Sequence, residues 1–140
     1  MRELKFRAWA GTILGMLYQE DKMSFNIDFK QKKVLICKNQ NDYIGSGFEN
    51  IPLMQFTGLQ DKNGVDIYEG DILHWTSFKE DSEGNNLVYN NVVEFYEGVN
   101  YVGYRLRNKS YTKRLTGRAG IRNAKAIVIG NIHQNPELLS

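Results

Sequence analysis

Eight basic residues fall within 21 positions late in this chain: Arg105, Arg107, Lys109, Lys113, Arg114, Arg118, Arg122 and Lys125. Tyr101, Tyr104 and Tyr111 are interleaved at the start of that run. Positive side chains follow phosphates and aromatic rings stack bases, so the combination is the physics of nucleic-acid binding on a small barrel. The same residues also suit a basic arm that meets an acidic patch of another subunit, or a solvated surface. Strand alternation sets Arg105 and Arg107 on one face, with Tyr104 and Leu106 on the other.

The other groups capable of chemistry form weaker patterns. Asp61, Asp66, Glu69 and Asp71 invite a divalent cation, but an EF-hand counted from Asp61 meets Asp66 where glycine is required and Ile72 where the terminal glutamate belongs. Turn chemistry explains these acids more simply. His74 and His133 are 59 positions apart, outside any zinc-ligand spacing. Thr57, Ser77 and Ser110 offer hydroxyls, yet no motif supplies a base and an orienting acid. Gly58, Gly64 and Gly70 precede no Gly-Lys-Ser/Thr, so they make no P-loop. No catalytic residue, metal or cofactor is therefore expected. An enzyme would require Asp61, Asp71 and His133 to converge in one cleft.

The elements that must position these groups read mostly as strands. Leu4, Phe6 and Ala8 alternate with charged residues and predict a strand with an apolar inner face. Gly11 and Gly15 bracket a turn. Met23–Phe29 alternates throughout and predicts a half-buried strand, turned by Gln31-Lys32 into a second strand at Val34–Cys37. Cys37, in an apolar run, reads as a small buried thiol. Residues 39–50 have loop composition. Leu53–Phe56 is short and apolar, Asp61–Gly64 is a tight turn with Asn-Gly at its tip, and Asp66–Trp75 is strand. Lys79–Asn86 reads as a long exposed connection. Asn91–Tyr96 and Tyr101–Arg107 predict a hairpin around Glu97-Gly98. Residues 108–125 have no clean period, which leaves loop or short helix open. Ala126–Ile129 predicts a closing strand.

Composition agrees with a globular domain. The chain has 140 residues, 41% hydrophobic and 24% charged, with two prolines. It has one cysteine, so no internal disulfide forms and a reducing cytoplasm is the natural compartment. The opening Met1–Arg7 alternates charge and apolar residues and lacks a signal-peptide core. No apolar run reaches a membrane span. The net charge is +2, yet residues 1–97 sum to −5 and residues 98–140 to +7. Such asymmetry suggests a polyanionic partner or a charge-complementary self-contact. The predicted fold is mainly β: a small N-terminal β subdomain over residues 1–52 and an SH3-like barrel over residues 53–140.

Three segments resemble one family. Phe6-Arg7-Ala8-Trp9, the long motif from Phe56 to Gly64 with Ile67–Ile72, and Ile129–Ile132 with Asn135–Leu139 are similar to the YopX proteins of phages and prophages. Ala10 and His133 depart from the family's usual residues. The resemblance implies a phage or prophage origin and an SH3-like barrel in the C-terminal part; it implies no substrate, cofactor or catalytic residue. Within the motif, Gly58, Asp61, Gly64, Ile67, Gly70, Asp71 and Ile72 read as structural, and asparagine at position 61 should support the same turn at little cost. The expected function is a non-enzymatic accessory module of the host cytoplasm that binds a phage or host protein, or itself as a homo-oligomer. Nucleic-acid binding through residues 105–125 and a small phage enzyme are the alternatives.

Overall fold

A computed structural model of the chain describes residues 3–19, 25–39, 42–109, 112–115 and 125–139. The fold is mainly β, built of curled antiparallel sheets that include a half-barrel. It divides into two units, Met1–Phe56 and Thr57–Ser140.

The first unit contains β1 (Phe6–Trp9), one helical turn α1 (Gly11–Leu14), β2 (Met16–Tyr18), β3 (Phe25–Asp28), β4 (Lys33–Asn39) and β5 (Asp42–Gly47). The first half of β6 (Leu53–Gln60) completes it. Strand β1 pairs antiparallel with β2 and with β6, while β3, β4 and β5 form a separate antiparallel sheet. Ala8, Leu17, Phe25, Val34, Ile36 and Ile51 make the core.

Several expectations for this unit are corrected. Residues 42–47 are strand, not loop, because glycine-rich composition lets the backbone pair closely with β4. A Cβ on Gly45 would lie 2.8 Å from Leu35 Cδ2, so the glycine makes room for the neighbouring strand's side chain. Phe6 and Ala8 of β1 do share the core-facing side, but two neighbours depart from the expectation. Arg7 is 3% exposed beside Ala8, whereas Leu4, just before the strand, is 68% exposed. Phe29 lies outside the end of β3 and is exposed, and Cys37 is half-buried.

The second unit takes the rest of β6, then β7 (Asp66–Tyr68), β8 (Asp71–Glu80), β9 (Asn86–Glu97), β10 (Val102–Arg107), β11 (Thr112–Arg114), β12 (Ile127–Asn131) and a 3₁₀ turn, Pro136–Leu139. Strands β8 to β12 form one antiparallel sheet in the order β11-β10-β9-β8-β12. Period-two alternation puts Leu73 and Trp75 of β8, Val93 of β9 and Leu106 of β10 on one face, where they form a core with Ile67 and Ala126. The Trp75 indole N–H donates to the buried Asn91 Oδ1 at 2.8 Å, which satisfies its polar end.

Here too the connections differ from expectation. The strand expected over Asp66–Trp75 is broken at Glu69-Gly70, where Gly70 has φ +80. The long connection expected over Lys79–Asn86 is a five-residue hairpin turn, Asp81–Asn85. Within residues 108–125, Thr112–Arg114 is strand; positions 110, 111 and 116–124 lie outside the described residues.

That hairpin turn repeats the Asp61 turn. In each, the aspartate N–H donates to the carbonyl four residues on, its carbonyl accepts the glycine N–H, and its Oδ1 accepts N–H groups from the second and fourth following residues. The shared pattern is Asp-x-x-Gly-x. Gly64 has φ +82 and open space where a Cβ would stand. Gly64→Ala should therefore cost about 1–2 kcal/mol from backbone strain alone. A denaturant melt indistinguishable from wild type would contradict this account of the turn.

Candidate interaction face

The hairpin of β9 and β10 determines which side chains meet. Its register sets Val92, Glu94 and Tyr96 opposite Arg107, Arg105 and Gly103, and β11 adds Thr112 opposite Arg107 and Arg114 opposite Arg105. Side chains on the far face from the Leu106 core therefore stand in rows across three strands. The middle row is Glu94, Arg105 and Arg114.

Within these rows the charges are already engaged. Arg105 Nε donates to Glu94 Oε1 at 2.5 Å, and Arg107 Nε donates to Oε2 at 2.8 Å. One carboxylate thus holds two guanidinium groups side by side. The Arg105 guanidinium lies 4.0 Å from the Tyr96 ring centroid, and that of Arg114 lies 4.1 Å from Tyr101. The two tyrosine rings are 4.9 Å apart. Arg105, Tyr96, Tyr101 and Arg114 form one continuous run of contacts, the two rings tilted by 45° to each other, and each cation lies within the ~6 Å over which a ring face attracts it.

Burial pushes the Glu94 carboxyl up, but the hydrogen bonds and charges of Arg107 and Arg105 outweigh it and hold its pKa below the ordinary glutamate value. A lowered folded pKa stabilises the fold above the unfolded value, and that contribution is lost as pH falls through the folded value. Glu94→Gln should accordingly flatten part of the acid limb of the stability-versus-pH curve. The effect should be small, because the side chain is partly exposed and screened. An unchanged acid limb would mean that the pair contributes nothing in solution.

The basic run does not form one surface. Lys113 faces the other way, 4.7 Å from the Trp75 ring centroid. Lys109 lies beyond the end of β10, and Lys125 sits in a turn before β12 with φ +51. Tyr104 packs against the core and meets Phe95 edge-on at 5.3 Å. Tyr111, Arg118 and Arg122 lie outside the described residues. Glu94 and Tyr96 were missed in the sequence reading. Glu94 comes opposite Arg105 because the hairpin turns at Val99-Asn100, where the Gly98 N–H donates to the Tyr101 carbonyl, and not at the expected Glu97-Gly98.

The sequence profile described as YopX protein matches residues 5–140. The chain belongs to the YopX family. This YopX chain is also similar to a solved structure, protein EF1440 from Enterococcus faecalis, at 26% identity and a TM-score of 0.60, with 100% of each chain covered. No curated protein matches it.

In this YopX chain the residues of the central motif serve the backbone. Thr57 Oγ1 donates to the Ile67 carbonyl, next to Gly58 within β6. Ile67 and Ile72 are 0% exposed. Gly70 N–H donates to the Val93 carbonyl, and its own carbonyl accepts the Ile132 N–H. Asp71 Oδ2 accepts the Tyr68 N–H across that tight bend.

Asp61 does more than its turn requires. It is 7% exposed, and its Oδ2 accepts the Val128 N–H of β12 at 2.9 Å, in addition to the two bonds at Oδ1. Its role is therefore a three-way backbone clamp, which argues against the expectation that asparagine substitutes there at little cost. Among the described residues, no three His, Cys, Asp or Glu side chains are grouped to hold a metal ion.

Proposed function

We propose that this YopX protein is a non-enzymatic binding module, carried by a phage or prophage, that works in the host cytoplasm through the Arg–Tyr face. The observation that carries this reading is the pre-formed run of Arg105, Tyr96, Tyr101 and Arg114. Tyrosine and arginine dominate the energetics of protein interfaces, and side chains already held in place lose little entropy on binding. Three guanidinium groups face one carboxylate there, so the face seeks further acids. The lone cysteine suits a reducing compartment. Among the described residues no helix is long and apolar enough to cross a membrane.

A second copy of the chain is the first partner proposed. Among the described residues, β12 reaches along β8 only to His74 and β10 reaches along β9 only to Val92, so beyond Trp75 β8 has β9 as its described partner. The resulting two-stranded arm ends in exposed Glu80, Asp81 and Glu83, with one lysine, Lys79. Its excess of two negative charges matches the excess of two positive charges on the Arg–Tyr face. A phosphate backbone is less well suited, since the described basic residues point in different directions.

Sedimentation equilibrium at several salt concentrations tests the reading. The expected result is an oligomer that weakens with salt, is lost in Arg114→Glu, and is restored when Glu83→Lys is added. A wild type that stays monomeric at low salt and high protein concentration refutes self-association. A wild-type gel shift of nucleic acid at low salt, lost in Arg114→Glu, would move the assignment to the nucleic-acid alternative.

A further inference from the structure

We propose that a hollow beside His74, distinct from the Arg–Tyr face, is a binding site for a small carboxylate bearing a hydrogen-bond donor and an apolar tail. That is the chemistry of an α-hydroxy or α-amino acid. The hollow is open and has a volume of about 390 Å³, within the range of small-molecule sites. His74, Asn90, Asn108 and Lys109 form its polar side, and Val88, Leu138 and Leu139, with Tyr89 beside them, its apolar side.

The polar side is organised by Asn90. Its Nδ2 donates to the Leu138 carbonyl at 2.9 Å, which fixes the amide's orientation. Its Oδ1 therefore faces His74 Nδ1, at 2.8 Å. An amide oxygen only accepts, so His74 Nδ1 carries the hydrogen. The nitrogen left for a ligand is Nε2, an acceptor in the neutral ring. The same amide ties the 3₁₀ turn to the sheet and thereby builds the apolar wall from that turn.

The ligand class follows from this set. Lys109 brings the one formal charge among the described lining side chains, so it calls for a single anionic group. A phosphate asks for more cationic donors than one lysine supplies. Nε2 calls for a donor close to that anion. Val88 is 57% exposed and, with the two leucines, offers contact for a short aliphatic tail.

The test is histidine-detected NMR of the full chain titrated with 2-hydroxy-4-methylpentanoate. The comparison ligands are 4-methylpentanoate, which lacks the donor, and 4-methyl-2-pentanol, which lacks the charge. The expected result is a saturable shift of His74 Nε2 with a Kd of roughly millimolar order. Binding should weaken about tenfold for either comparison ligand and in Lys109→Gln. Lys109 is exposed, and an unmoved His133 signal would confirm that the variant is folded. No saturable shift at ~50 mM ligand, or equal affinity for all three compounds, overturns the proposal. So does an affinity unchanged in Lys109→Gln. Because no residue is shared with the Arg–Tyr face, failure here leaves the oligomer reading untouched, and the reverse.

Discussion

Asp61→Asn will destabilise this protein by about 2–4 kcal/mol, as expected for losing a hydrogen bond to a buried charge and leaving its donor unmatched. The wild-type carboxylate takes three backbone N–H groups, from Asn63 and Val65 at one oxygen and from Val128 at the other. An amide has one accepting oxygen. If that oxygen serves the turn, the NH₂ points at the Val128 N–H, donor against donor. If the amide flips, the turn loses both of its bonds. Asp81→Asn is the matched control. The turn around it has the same backbone pattern, but Asp81 is exposed and water can replace what asparagine cannot supply. Urea melts of the two variants decide the matter: equal and small losses would show that the bond to β12 contributes nothing.

Ile72→Ala should cost about 2–5 kcal/mol, the range for a large-to-small change that leaves a cavity. Ile72 is 0% exposed on one face of β8, opposite Val92 at 3%, while the next residue, Leu73, is 0% exposed on the other. The strand is sealed on both faces at this point, so neighbours have little freedom to collapse into the space. Ile72→Val keeps most of the volume and should cost only about 0.5–1.5 kcal/mol. A loss in Ile72→Ala no larger than in Ile72→Val would mean that the site relaxes around the missing atoms.

Much of the sheet was legible because alternation and turn residues are local signals. The pairing of β3 with β4 and of β9 with β10 follows from period two on either side of a turn. The arginine pair on one face of β10 follows in the same way. What failed was information that resides in the partner strand. Residues 42–47 look like loop because glycine and aspartate are poor strand formers, yet β4 supplies the pairing. Arg7 sits on a strand that reads polar at that position but is buried by its surroundings. The break at Gly70 is compensated by Val93 and Ile132, neither of which is near in sequence. Of the face, the arginines could be read directly. Glu94, which aligns them, could not be read from a turn placed at Glu97-Gly98, because its register depends on the turn falling at Val99-Asn100. The bond from Asp61 to β12 has no local signature at all.

That last bond has a consequence for how the chain acquires its shape. Asp61 and Val128 are 67 positions apart, and ribosomes add only about 5–20 residues each second. The clamp therefore waits some seconds, hydrated and half-used, before its third donor has been made. Over that interval the edge of β8 that β12 will cover remains unpaired, the kind of edge to which a second nascent chain can add. Docking of β12 closes a long loop and belongs late in folding. Asp61→Asn, which removes the bond to the Val128 N–H, should then speed unfolding more than it slows folding, so the clamp governs how long the native state lasts once made.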